Sequence, residues 1–282
     1  CIRYQEVPMD PRILITLGPS SMNEAVVKAC EDVGVYLFRF NLSHTPLDGL
    51  EQLVDRVRGW TDVPICFDSE GAQLRNGYMV SETVTFVKGA RVVIHTSPVI
   101  GDDSNISFNP PLAVLMLIPG DIVHVDFNHV CFEIVEVNAD HLVACVLEGG
   151  TVGSNKGAEV GRLLSFAPVT EKDRAAIALG RTIEIKNFAL SFANSGADVR
   201  TMRELCGEDA SLICKIESPG GLSNLDDILT ETDDILIDRG DLSRRVPIER
   251  VPFIQRHIVA AAKTKSVPVY VATNLLESMV TT

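Results

Sequence analysis

Leu212-Ile213-Cys214-Lys215-Ile216-Glu217 and Asp234-Ile235-Leu236-Ile237-Asp238, the second running on into Arg239-Gly240-Asp241, decide how this chain is read. Each is an apolar-rich run of strand length, and the segment between them is long enough for one helix. The pair predicts a βαβ unit with parallel strands. Lys215 and Glu217 stand two residues apart, so on a strand they point to the same side. Both runs carry charges at or beyond their carboxyl ends, where parallel sheets place ligands. Neighbouring strands lie about 4.8 Å apart, which lets Glu217 and Asp241 share one divalent cation. The plainer alternative is a Lys-Glu pair at a strand end beside a solvated aspartate.

Outward from this unit the same rhythm repeats. Strands are predicted over 12–17, 35–40, 63–68, 187–192, 211–216, 234–238 and 267–272, with helix-like stretches such as 20–32, 46–59, 171–180 and 249–265 between them. The alternation predicts a parallel α/β barrel. Residues 77–160 break it with short β-type runs (Thr83–Val87, Arg91–His95, Ile122–Val125, Phe132–Val137, Leu142–Leu147) separated by Gly, Asp and Asn turns. The expected organisation is a barrel over 1–76 and 161–282, with a small all-β domain over 77–160 inserted after the third strand. Seven barrel strands are found and the chain stops at Thr281-Thr282. An open sheet exposes unpaired edges that need covering, so a chain cut before its eighth strand is the expectation.

The 282 residues suffice for one barrel-sized domain with an insert, or for two medium domains, and 46% hydrophobic content supports a sizeable core. No apolar run is long enough for a transmembrane helix, and the N-terminal residues lack the basic-then-apolar pattern of a secretory signal. Seven cysteines without a CxxC pair, several in apolar strands, fit buried thiols in a reducing cytosol better than disulfides or a zinc site. A formal net charge of −13 argues against nucleic acid or an anionic membrane as partner. Any phosphate site must then be locally basic.

Lys215-Ile216-Glu217, a helix, then Arg239-Gly240-Asp241-Leu242 resembles the core signature of pyruvate kinases. The resemblance continues in order through Thr16-Leu17-Gly18-Pro19-Ser20, Arg39-Phe40-Asn41-Leu42-Ser43-His44, Asp68-Ser69-Glu70-Gly71-Ala72-Gln73-Leu74-Arg75 and Lys156-Gly157. It ends with Thr170-Glu171-Lys172-Asp173, Ser191-Phe192 and Ala272-Thr273-Asn274-Leu275-Leu276-Glu277-Ser278-Met279. Shared order and spacing make it specific, although no single string is. It implies a TIM-type (β/α)8 barrel, here lacking its last strand and the C-terminal regulatory domain, with the inserted β domain acting as a lid. The implied activity is glycolytic: a cytoplasmic phosphotransferase moving phosphoryl from phosphoenolpyruvate to ADP to give pyruvate and ATP. The full-length protein is expected to be a homo-oligomer, with neither nucleic acid nor membrane as partner.

The resemblance also implies roles for residues. Glu217 and Asp241 hold Mg²⁺ or Mn²⁺, in keeping with magnesium's habit of taking one or two carboxylates plus substrate oxygens. Lys215 and Arg39 face the moving phosphoryl group, where cations stabilise spreading negative charge. Asn41, Ser43, Asp68 and the backbone oxygen of Ser69 form a monovalent site, which makes K⁺ a possible cofactor. Arg75 is the second phosphate-facing arginine. Pro19, Asn41 and His44 belong to the nucleotide side with Lys156, and the enolate is protonated near Thr273. Gly240-Asp241-Leu242 opens a short helix whose free N–H groups accept the substrate carboxylate, while Pro219-Gly220-Gly221 reads as a turn. Structural alternatives stand beside these roles: a buried Lys215–Glu217 ion pair, turn-satisfying Asn41 and Ser43, and a His44 or Thr273 that merely ends a strand.

Departures from the family pattern stand out. Ser69, Glu70, Ala72 and Gln73 replace the usual residues around the monovalent site, and Asn274 replaces a glutamine. Asp126-Phe127-Asn128-His129 lacks the family's Asp-Asp-Gly. Above all, Asp238 stands where the family has alanine, with Arg239, Arg244 and Arg245 near enough in sequence to compensate. Two like unit charges about 6 Å apart repel by roughly 3 kcal/mol at an effective dielectric near 20, so Asp238 is expected to disfavour a substrate carboxylate, unless it faces the helices. The rival functions are a Mg²⁺-dependent lyase or decarboxylase acting on a pyruvate-like enolate, and a catalytically silent metabolite-binding paralogue.

Overall fold

The computed structural model describes residues 11–71, 73–126, 129–162, 164 and 166–273. Ala72, Phe127, Asn128 and Asn274, singled out above as departures, lie outside the described residues. The chain divides into two compact units, one formed by residues up to Gly71 and from Pro168 onward, the other by Ala72–Ala167.

In the first unit seven strands form one sheet: β1 (Leu14–Thr16), β2 (Leu37–Asn41), β3 (Ile65–Asp68), β4 (Asn187–Leu190), β5 (Ser211–Ile216), β6 (Asp234–Asp238) and β7 (Val269–Ala272). Their order in the sheet follows the chain, and every neighbouring pair is parallel. The helices of this unit are α1 (Glu24–Asp32), α2 (Leu50–Arg58), α3 (Glu171–Thr182), α4 (Gly196–Cys206), α5 (Pro219–Ser223), α6 (Leu225–Glu231), α7 (Arg239–Arg245) and α8 (Val251–Thr264). Pro219-Gly220-Gly221 is thus a short helix rather than a turn. The Ser218 hydroxyl accepts from Gly221 N at 3.0 Å and so caps it.

Strand periodicity separates two layers of side chains. One face sends Phe38, Phe40, Phe67, Phe188, Leu190, Leu212, Cys214, Ile216, Ile235 and Ile237 into a core shared with the helices. The other face contributes about one residue per strand to a separate apolar cluster: Leu37, Cys66, Ala189, Ile213 and Leu236, with Leu14, Tyr270 and Ala272 against it. Two residues further along the same face, alternation sets Thr16, Arg39, Asp68, Ser191, Lys215 and Asp238. A polar layer at the carboxyl ends of the strands therefore rests directly on an apolar one.

Asp173 secures the turn that follows β3. It completes a capping box with Thr170 at the start of α3, and its carboxylate also accepts from Glu70 N at 2.7 Å and Gly71 N at 3.3 Å. Gly71 adopts φ +70°, and a Cβ there would come within 2.7 Å of Ser191. Only glycine lets this loop pass so close to β4.

The second unit is β-rich. Its larger sheet runs in the order Ala158–Val160, Ile122–Val125, Val130–Val137, His141–Glu148, Arg91–His95, Asn105–Asn109, Arg75–Asn76. Thr83–Phe86 and Gly150–Gly153 pair separately. Leu74, Leu164 and Phe166 pack with this unit's own core, which is why its bounds extend past 77–160 on both sides.

Phe67 is fully buried and meets Phe40 and Phe188 edge to face, with ring centroids 6.3 Å apart in each case. Phe67→Ala should cost about 3–5 kcal/mol, as deletion of a fully buried aromatic does. Chemical denaturation is the check, and a loss below about 1 kcal/mol would contradict the assignment of Phe67 as the centre of this core.

Candidate active site

Asp68 is the hub of the polar layer. It is fully buried, and its Oδ2 lies 3.3 Å from both Lys215 Nζ and Arg39 Nη1. Arg39 is oriented from behind by Thr16, whose Oγ1 accepts from Nε at 2.7 Å. Ser191 Oγ accepts from Lys215 Nζ at 3.0 Å and lies 2.7 Å from Ser69 O and 3.2 Å from Asp68 Oδ1. Lys215 Nζ also lies 3.1 Å from Glu217 Oε1, an ionic contact without hydrogen-bond alignment. Burial opposes the charge on Lys215, but Asp68 and Glu217 outweigh it and raise its pKa. The two carboxylates therefore favour the charged ammonium, which is paired with Asp68 as well as with Glu217.

Glu217 continues the same face one step beyond Lys215. It is fully buried, Oε2 accepts from Phe192 N at 2.8 Å, and Oε1 accepts no hydrogen bond. Burial pushes its carboxyl up to about 7, with Asp241 and Asp238 adding to the rise and Lys215 opposing it. Glu217, Asp238 and Asp241 each offer a carboxylate oxygen, and these lie within 4.8 Å of one another. An all-carboxylate donor set with one buried, unbonded oxygen suits a hard divalent cation. The residues present thus fit the cation that the sequence implied, with one donor more than expected.

That extra donor is Asp238. It is buried and faces the polar layer, not the helices. Its Oδ1 accepts from Gly240 N at 3.1 Å, Asp241 N at 3.3 Å and Thr273 Oγ1 at 2.8 Å. The N–H groups expected to receive a substrate carboxylate are therefore engaged by a carboxylate of the chain itself, the N-cap of α7. Arg239 donates to Thr273 O, Arg244 pairs with Asp241 at 3.2 Å, and Arg245 lies over the Phe192 ring. Thr273 at φ +61° and Phe192 at φ +53° both hold left-handed backbone conformations uncommon for such residues. Both flank the carboxylate cluster, as backbone strain at functional sites often does.

The proposed monovalent donors sit together in the sheet register, where Asn41 is paired with Asp68. Their oxygens have internal partners: Asn41 Oδ1 accepts from Ser43 N at 2.9 Å, and Ser69 O receives the Ser191 hydroxyl at 2.7 Å. Lys172 Nζ donates to Leu42 O and to Glu70 Oε1 close by. Pro19 and His44 are exposed in the loops after β1 and β2. Arg75 and Lys156 belong to the second unit, where Arg75 Nη1 donates to Asn155 O at 2.9 Å and Lys156 Nζ lies 3.9 Å from Asp126. Thr16 and Ser191 were assigned no role from sequence. The signal that finds them is the two-residue step from Leu14 and Ala189.

Residues 9–282 match the family model described as the pyruvate kinase barrel domain. A pyruvate kinase of Thermotoga maritima is 31% identical over 95% of this chain and 60% of its own length. One from Mycobacterium tuberculosis is 31% identical over 95% of this chain and 59% of its own. The chain thus spans about three fifths of the curated relatives it matches. Among solved structures, a pyruvate kinase from Cryptosporidium parvum superposes with a TM-score of 0.79 at 26% identity, covering 95% of this chain and 58% of that one. With its motifs in order on seven parallel strands, the chain belongs to the pyruvate kinase family.

Proposed function

We propose that this protein transfers phosphoryl between phosphoenolpyruvate and ADP, with a divalent cation held by Glu217 and Asp241. The observation that carries this reading is the buried Lys215 ammonium, fixed between Asp68, Ser191 and Glu217 and adjoining the carboxylate cluster. Lys215 and Arg39 share Asp68, so the two cations are aimed from neighbouring positions without side-chain freedom. Charge on a transferring phosphoryl group grows toward the transition state, and fixed cations there need no reorganisation. The bound cation supplies Lewis-acid stabilisation of donor oxygens. Thr273 Oγ1, held at Gly240 N and Asp238, keeps the role the resemblance assigns it, near the enolate as it is protonated. Arg75 and Lys156 retain the phosphate-facing roles the resemblance assigns. The (β/α)8 closure, the cytoplasmic setting, K⁺ dependence and homo-oligomeric assembly are part of the same proposal. Among the described residues no helix is long and apolar enough to cross a membrane.

The direct test is pyruvate formation from phosphoenolpyruvate and ADP in a coupled assay, with and without Mg²⁺ and K⁺. Lys215→Met should lower turnover by about a thousandfold or more while leaving ligand binding nearly intact, since the lost interaction matures in the transition state. Turnover within about tenfold of wild type would remove Lys215 from the mechanism.

Glu217→Gln should weaken Mn²⁺ binding by about tenfold or more, because a neutral amide replaces a carboxylate donor; calorimetric titration measures it. Protons compete with the cation for Glu217, whose pKa is pushed up to about 7. Wild-type Mn²⁺ affinity should therefore fall as pH drops below that value, by up to about tenfold per unit. The sign for the metal-free fold is the reverse: the raised pKa stabilises it at low pH, and that contribution is lost as pH rises from 4.5 to about 7. A pH-independent Mn²⁺ affinity between pH 5.5 and 8 would show that Glu217 is not the titrating donor.

A further inference from the structure

We infer that Asp238 supplies, from within the chain, the carboxylate that a substrate would otherwise bring to this site. Its Oδ1 fills the position facing Gly240 N, Asp241 N and Thr273 Oγ1, and its carboxylate is a third oxygen donor to the divalent cation beside Glu217 and Asp241. The inference rests on the phosphotransferase reading and bears on its substrate affinity. Phosphoenolpyruvate carries a carboxylate next to its metal-binding oxygen, so it competes with Asp238 and binds more weakly than it would at the same site without that side chain.

Three observations support it. Asp238 is anchored by three hydrogen bonds to a single oxygen, at 3.1, 3.3 and 2.8 Å, so its side chain holds one place. Those three donors converge on one oxygen, and Gly240 N also donates to Thr273 Oγ1 at 2.7 Å, so an incoming carboxylate must displace Asp238 and share Gly240 N with Thr273. Independently, fully buried Glu217 has an oxygen, Oε1, that accepts no hydrogen bond and lies 3.1 Å from Lys215 Nζ, and its carboxylate belongs to a cluster of three within 4.8 Å of one another. Lys215 meets Glu217 and Arg244 meets Asp241, and the three acids together offer a divalent cation one carboxylate donor more than Glu217 and Asp241 alone. A ligand carboxylate would compete with Asp238 for the N–H pair and for a coordination position alike.

Calorimetric titrations with Mn²⁺ alone, and with oxalate in saturating Mn²⁺, test both halves. Oxalate serves as the probe because it is a small dicarboxylate that chelates the cation. Asp238→Ala should bind oxalate at least about tenfold more tightly than wild type and Mn²⁺ alone several-fold more weakly. Asp238→Asn keeps the amide oxygen that caps α7, so it should fold even if the alanine variant does not. It should gain less for oxalate than Asp238→Ala, yet also bind Mn²⁺ more weakly than wild type. Unchanged oxalate affinity in the alanine variant, equal gains in the two variants, or unchanged Mn²⁺ affinity in the asparagine variant would each overturn the inference. Glu217→Gln separates the two levels. If it leaves Mn²⁺ binding intact, the cation site itself is misassigned, whatever Asp238 does.

Discussion

A carboxylate with no exposure to solvent must be neutralised where it stands, and for Asp68 that requirement organises the whole polar layer. Removing an ion from water costs several kcal/mol after relaxation, and Asp68 offsets this through Lys215 and Arg39 on two other strands and Ser191 just past the end of a third. Each partner is then committed to one position. Lys215 cannot turn away without removing the cation beside Glu217 and one of the two beside Asp68, and Arg39 is pinned by Thr16 on its far side. The network is therefore a positioning device before it is a source of stability. It also explains the tight loop at Gly71: Ser191 bonds backward to Ser69 and Asp68, so the chain after β3 must pass against it.

The charge balance of this layer favours cations. Asp68 spends itself on Lys215 and Arg39, and Arg244 meets Asp241. Glu217 shares Lys215 with Asp68, and burial pushes its carboxyl up to about 7, with Asp241 and Asp238 adding to the rise. Asp238 is held by N–H and O–H donors rather than by a full positive charge among the bonds to its Oδ1. In a chain of net charge −13, Lys215 and Arg39 make this rim locally favourable to an anionic group.

Much of this was legible before any coordinates. All seven predicted strands of the parallel sheet are present within a few residues of their expected bounds, because each is a dense apolar run between turn residues. The second unit was harder to read. Asn105–Asn109 and Gly150–Gly153 carry polar or glycine-rich strands whose pairing is decided by their neighbours rather than by local pattern. Lys215, Glu217, Asp241 and Arg39 were recoverable from motif and spacing, and the structure brings them together on one rim.

Asp238 marks where sequence reasoning ran short, and the reason is physical. Its residue type announces an added charge, but charge alone does not say which partners will satisfy it. Repulsion toward a ligand and capping of a helix are both open to an aspartate at a strand end. What decides is that β6 passes directly into α7, so residue 238 is at once the last strand position and the helix N-cap. An N-cap aspartate bonds the N–H groups just ahead of it, and in this chain those are Gly240 N and Asp241 N. The two-residue step from Leu236 then fixes its face, setting it beside Glu217 rather than under the helices. Two local rules, strand alternation and helix capping, meet on one residue, and together they turn an odd substitution into an occupant of the site.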